Sequence, residues 1–266
     1  MEYSRLSKDK LQIPDVPGVS LVAYYREKPL ELQKLIVDLQ GILQDFFGSD
    51  FIPYALKQIH ATIIGCEGIR TELGFVNKWF YTLRDEIKYI DYSGFLNYFI
   101  NNDLFPLDIC FGSYQPNVNY QFLSRNQHPG DRSFQLQLST ENTLIPTMIG
   151  WSFRKQIITT DINSIRRELQ RFNCLHKYHK YPQDIDNDVY LRLGTIAGSY
   201  NSDLIASITQ TINNYLQTLT PIIIPLSQEK LAIVKYQDLS LPISTTKIYS
   251  LADLSSDLNL LQQLYE

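Results

Sequence analysis

The sequence predicts an α+β fold of two antiparallel sheets with helices on their outer sides, arranged as two lobes around a central cleft. Three observations lead there. Short apolar stretches alternate with period two, the segments between them repeat every three or four residues, and the second half repeats the first in outline. The length of 266 residues suits one bilobal domain, 1–266, with a substantial core. An apolar share of 44% and a charged share of 20% exclude wholesale disorder, collagen-like repeats and a pure coiled coil.

Residues 19–25 (VSLVAYY) form the first expected strand. Pro29 then opens a helix, Leu32, Leu35, Leu39, Ile42 and Phe46 make its inward stripe, and Gly48 closes it. Over 57–64, Ile59, Ala61 and Ile63 alternate with Gln58, His60 and Thr62, the pattern of a half-buried strand. A second helix is expected over 92–101, with strands over 107–111 and 134–138. Asp161 is the expected cap of a helix whose Ile162, Ile165, Leu169 and Phe172 oppose Arg166, Arg167, Gln170 and Arg171. Within 188–196, Val189, Leu191 and Leu193 share one face, and Tyr190, Arg192 and Gly194 the other. A helix over 203–219 follows, capped by Ser202, with Leu204, Ile205, Ile208, Ile212, Tyr215 and Leu219 inward, and strands over 230–236 and 246–251 end the chain.

Charge is nearly balanced, 24 Lys and Arg against 28 Asp and Glu, so any phosphate recognition has to be local. Residues 151–180 hold seven basic side chains (Arg154, Lys155, Arg166, Arg167, Arg171, Lys177, Lys180) against Asp161 and Glu168, a local charge of +5. That run reads either as a solvated helix face or as a basic wall beside a cleft, with Tyr178, Tyr181 and Tyr114 as candidate stacking rings. Cys66, Cys110 and Cys174 are isolated and odd in number, which suits a reducing compartment and leads us to expect neither a disulfide framework nor a zinc site. The opening MEYSRLSKDKLQIPD lacks the apolar core of a secretory signal, and the apolar run 221–226 is too short to cross a bilayer. A cytoplasmic protein with no membrane partner is expected.

Strand alternation puts His60 and Thr62 side by side on the face away from the core. A neutral imidazole beside a hydroxyl can exchange a proton and hold a phosphate oxygen at one place. With its strand and amphipathic helix leading into QIHATIIG, the chain resembles the first half of the 2H phosphoesterase superfamily, which includes bacterial RNA 2′,5′-ligases and 2′,3′-cyclic phosphodiesterases. The resemblance implies two His-x-Thr/Ser strands facing each other across the cleft. It also implies two histidines acting as general acid and base on a phosphodiester of a nucleotide or short RNA, with no metal and no cofactor.

The second motif is expected on the strand at 188–196, in one of two registers. Matching Thr-Ile in both halves pairs Thr62 with Thr195 and puts Leu193, on the core face, at the histidine position. Matching apolar faces pairs His60 with Tyr190 and Thr62 with Arg192, and we prefer it because it respects the alternation. In neither register is the second histidine present. Arg192 forks toward phosphate oxygens but exchanges no proton near neutrality, whereas Tyr190 can donate one to a leaving oxygen. The expected site is therefore His60 as acid and base, Thr62 and Arg192 on the phosphate, and Tyr190 as second proton donor. His176 and His179 lie in the preceding loop, where they supply the missing imidazole, bind a metal with Asp184, Asp186 and Asp188, or are simply solvated. His128, before Pro129 and Gly130, is expected exposed in a turn. Three function classes stay open: a hydrolase of a cyclic phosphate or 2′,5′-phosphodiester, a nucleotide- or RNA-binding module without turnover, and an interaction protein with no ligand.

Overall fold

The computed structural model describes residues 18–101, 103–139, 143–155, 157–256 and 259–266, so the N-terminal stretch discussed above lies outside the described residues. Strand β1 (Gly18–Ala23) leads into helix α1 (Leu30–Phe47), then the short β2 (Phe51–Pro53) and β3 (Ala61–Gly65). The hairpin β4 (Gly68–Thr71) and β5 (Gly74–Asn77) precedes α2 (Lys78–Arg84) and α3 (Tyr92–Ile100). Next come β6 (Leu107–Phe111), a single turn α4 (Pro129–Arg132), β7 (Phe134–Leu138), β8 (Leu144–Arg154) and β9 (Ile157–Ile158). Helix α5 (Asp161–Glu168), β10 (Val189–Arg192), β11 (Gly194–Ile196), α6 (Ser202–Thr218) and β12 (Ile222–Leu226) follow. The chain closes with β13 (Leu231–Tyr236), β14 (Lys247–Ser250), α7 (Leu251–Ser256) and α8 (Asn259–Gln263).

Two antiparallel sheets carry the fold. The smaller has the order β14-β13-β1-β3. The larger has the order β12-β6-β8-β11-β2, with β7, β9 and β10 also paired to β8. Successive stretches of the eleven-residue β8 take different neighbours, which curls this sheet. Helix α1 packs on α6, β2 and β12, and α5 on β3 and β8. Among the described residues, no helix is long and apolar enough to cross a membrane.

The seven expected strands and four expected helices are present, with 188–196 split into β10 and β11. The long β8 at the centre of the larger sheet, β2, the β4–β5 hairpin, β9, β12, α2, α4, α7 and α8 were not anticipated. Among the expected elements the departures have local causes. The buried stripe of α1 runs Leu39, Leu43, Phe47 at intervals of four, which leaves Phe46 exposed rather than inward. Leu204 is likewise exposed, and the cap of α6 is Asn201, whose side chain accepts from the Leu204 amide, not Ser202. Asp161 is the first residue of α5 rather than its cap, and its carboxylate accepts from the Thr159 hydroxyl. The expected last strand is shorter, because Leu251 already begins α7. Residues 57–60 precede β3 and do not extend it, since the Gln58 and Ile59 amides both turn back to the Ala55 carbonyl. Ile59, Ala61 and Ile63 are nevertheless buried as the alternation requires.

Candidate functional site

β3 ends the smaller sheet, β10 pairs with β8 in the larger, and the two strands lie against each other. Arg166 of α5 holds them together. Its guanidinium, expected on a solvated face or a cleft wall, is fully buried and donates to the carbonyls of Ile63 (2.7 Å) and Thr62 (3.0 Å) on one strand. On the other side it donates to those of Asp186 (2.9 Å) and Asp188 (3.1 Å). One planar fork of donors thus joins backbones that share no ladder.

These strands line a cavity of about 360 Å³, a size suited to a small ligand. His60, just before β3, Thr62 on it, and Tyr190 and Arg192 on β10 all line it, so the structure brings the four expected site residues together. Of 188–196, Tyr190 and Arg192 line the cavity and Leu193 and Thr195 do not. Leu193 is buried, and Thr195 sits on β11, where its hydroxyl and that of Tyr54 are 2.9 Å apart.

A bulge in the β1–β3 pairing decides which further residues reach the cavity. Ser20 pairs with Gly65 and Val22 with Thr62, so Ile63 is the extra residue, and Thr62 and Gly65 share the cavity face although three apart. Two glycines allow close approach. A Cβ on Gly18 would enter the Tyr236 ring, and one on Gly65 would meet the Glu67 carboxylate and stand 3.1 Å from the Trp79 indole nitrogen.

The electrostatics favour a neutral imidazole and an anionic ligand. His60 Nδ1 donates to the Gln58 carbonyl (2.8 Å), which leaves Nε2 with the lone pair. Burial pushes this histidine down to about 4, helped by the positive charges of Arg192 and Lys28 against the opposing Gln58 bond. Lys28, whose ammonium donates to the Tyr24 carbonyl (2.7 Å), is itself brought down to about 7 by burial. Lys78, Lys177 and Arg192 line the cavity against one carboxylate, Glu67, which burial raises above the usual range. Glu67 accepts from the Trp79 indole N–H at 2.7 Å.

The loop histidines are not solvated, as one reading of the sequence had them. His176 and His179 are buried; His176 lines the same cavity as His60, as the reading that it supplies the second imidazole asks, while His179 does not, and His176 Nε2 lies 3.0 Å from an Asp186 carboxylate oxygen. Burial, with Arg166 nearby, pushes His176 down to about 4, and burial beside His176 brings His179 to about 3. Asp186 also receives Arg166, while Asp188 receives Arg132 and the Trp151 indole. Asp184 accepts from the Tyr181 amide. Asp186 and Asp188 serve as counter-ions, sharing Arg125 at 3.6 Å each, while Asp184 is a turn acceptor, and among the described residues no cluster of three metal-capable side chains forms. His128 is half-buried rather than exposed, with one nitrogen accepting from the Gly130 amide and the other bonded to the Val118 carbonyl.

The basic run disperses as well. Lys177 faces the cavity, Arg166 is buried, Arg167 caps the carbonyls of Tyr181 and Asp184, and Arg171 pairs with Glu168. Tyr114 is not a stacking ring for the cleft, because it packs against Trp151 and Tyr120 in a separate cluster. Sequence reasoning missed Ser20, Glu67, Lys78, Trp79 and Tyr236, all of which line the cavity. A signal existed for Ser20, the one polar residue in VSLVAYY, but the hairpin and α2 that carry Lys78 and Trp79 were not anticipated. The fold and site define an α+β protein with an anion-suited cavity where two antiparallel sheets meet. No family model matches the chain, and none of the curated proteins matches it.

Proposed function

We propose that this cavity is the site of a 2H-type phosphodiesterase acting, without a metal, on a cyclic phosphate or 2′,5′-phosphodiester of a nucleotide or short RNA. The two sheets then correspond to the two lobes of that fold. The carrying observation is that Thr62 of one sheet with His60 just before its strand, and Tyr190 and Arg192 of the other sheet, line a single cavity. Thr62 and Arg192 hold non-bridging phosphate oxygens, the guanidinium by charge-assisted bonds. His60 Nε2 takes a proton from water as its oxygen bonds to phosphorus. The bond from phosphorus to the ribose oxygen breaks, and the Tyr190 hydroxyl gives that oxygen its proton. Solvent returns a proton to Tyr190 and removes the one on His60.

A second reading, a nucleotide- or RNA-binding module without turnover, is favoured by one observation: a phenol stands where the resemblance calls for the second imidazole. One experiment separates the two. Cyclic nucleotides and 2′,5′-linked oligonucleotides are assayed for binding and turnover with the wild type, His60→Ala and Arg192→Ala. The enzyme reading expects His60→Ala to lower turnover by roughly 10²- to 10⁴-fold with melting temperature little changed. Arg192→Ala is expected to weaken binding by roughly 1.5–3 kcal/mol. Wild-type binding with no turnover, lost in Arg192→Ala, leaves the binding module as the better account. Neither binding nor turnover across the panel removes both.

A further inference from the structure

The cavity has two chemically different ends. Along the chain His60, Thr62, Gly65 and Glu67 line it in turn, and β3 between them (Ala61–Gly65) spans roughly 13 Å at about 3.3 Å per residue. The His60 end is closed by Leu239 and Leu241, in a loop tied to the segment before β3 by the Gln58 side chain, whose Nε2 donates to the Ser240 carbonyl (3.1 Å). Arg192 belongs to this end, since its charge acts on His60. The far end holds Glu67, Lys78, Trp79 and Lys177.

The far end has no part in the chemistry assigned above, yet it is built. The half-buried Trp79 ring is pinned at one edge by its bond to Glu67, and Gly65 leaves room for that pair against the strand. The Lys78 ammonium stands 5.6 Å from the ring centroid, and Lys177 lies close enough to Glu67 to act on its charge. Two lysines against one carboxylate leave a positive excess beside a fixed aromatic plate, the combination that holds a base and its phosphate chain.

Resting on the function proposed above, we propose that this far end is a second nucleoside subsite. The ligand is then two nucleosides joined by a phosphodiester, rather than a cyclic mononucleotide. The bridging phosphate lies at Thr62 and Arg192, one base lies on the Leu239 side, and the other stacks on Trp79. Hydrolysis adds the water oxygen to phosphorus, breaks its bond to one ribose oxygen and leaves the proton there, releasing a nucleoside and a nucleotide.

The test measures binding of 2′,5′-linked diadenylate and of 2′,3′-cyclic AMP by calorimetry, in the full chain carrying His60→Gln to hold turnover down. The dinucleotide is expected to bind at least about tenfold tighter, the scale of one stacked base. It is also expected to quench tryptophan emission, which reports on Trp79 because Trp151, the other of the two tryptophans, is fully buried. Trp79→Ala should abolish the preference and leave cyclic AMP binding unchanged, whereas Trp79→Phe, which keeps a ring, should retain most of it. Equal binding of the two ligands, or a preference that survives Trp79→Ala, overturns the second subsite while the phosphate site stands. Binding of neither ligand overturns both readings.

Discussion

At the scale of single residues, the side chain that matters most for the site's shape does not touch the cavity. Arg166 gathers four backbone carbonyls and the Asp186 carboxylate in a dry environment. Arg166→Met leaves those acceptors unpaired and is expected to cost about 3–5 kcal/mol, read as a lower urea midpoint. Arg166→Lys should recover little, because an ammonium cannot reproduce the fork. Sequence periodicity put this arginine opposite the apolar stripe, on a solvated face or a cleft wall, since a helical wheel registers position and not the strand that covers it. His60 carries a second residue-scale prediction. Its imidazole is depressed to about 4, so on the proposed function, with His60 as the base, kcat/KM should hold through pH 6 and decline only near pH 4. A bound phosphate favours the protonated ring, so the same limb in kcat should lie higher. An acid limb of kcat/KM near 6.5 would show that the imidazole is solvated.

At the scale of elements, β3 was legible in part. Alternation correctly grouped His60 with Thr62 and buried Ile59, Ala61 and Ile63, because one face of the segment meets the core. The bulge at Ile63 lay beyond that reasoning, since it arises from pairing with β1 and not from the local pattern. It is the bulge that sends Gly65 to the cavity face beside Thr62. Gly65→Ala tests this element. The added methyl has to displace the Glu67 carboxylate and the Trp79 indole, at an expected cost of about 1–3 kcal/mol. Trp79 emission should shift in the ligand-free protein, while binding of 2′,3′-cyclic AMP, which does not reach Trp79 in the proposed arrangement, is retained. An unshifted spectrum with full stability would show that the pair does not rest on the strand.

At the scale of the whole molecule, three histidines have their protonation pushed down by burial: His60 and His176 to about 4, and His179 to about 3. The unfolded chain therefore binds more protons than the folded one between those values and the ordinary value near 6.5, and stability rises with pH across that window. The full contribution is present above about pH 6.5 and is lost as pH falls toward 4. Asp186, held well below the usual range by Arg166 despite its burial, adds loss in the same direction below the ordinary carboxylate value. Urea unfolding at a series of pH values should show the free energy dropping by a few kcal/mol from pH 7 to 4. His179→Asn should reduce that slope, and a flat profile would contradict the buried neutral rings.

Local sequence pattern missed β8, the centre of the larger sheet, but was enough for the α+β class, for seven strands and four helices in their order, and for the pairing of His60 with Thr62 and of Tyr190 with Arg192. Each of these follows from a period of two or 3.6 in which the neighbouring residues carry the signal. Only the tertiary structure decided that the two pairs meet in one cavity, that Arg166 rather than a ladder joins their strands, and that Glu67 and Trp79 complete the far end. Those contacts join residues scores of positions apart, and their free energy comes from desolvation and from carbonyls seeking donors once the sheets meet. Local periodicity holds no record of either.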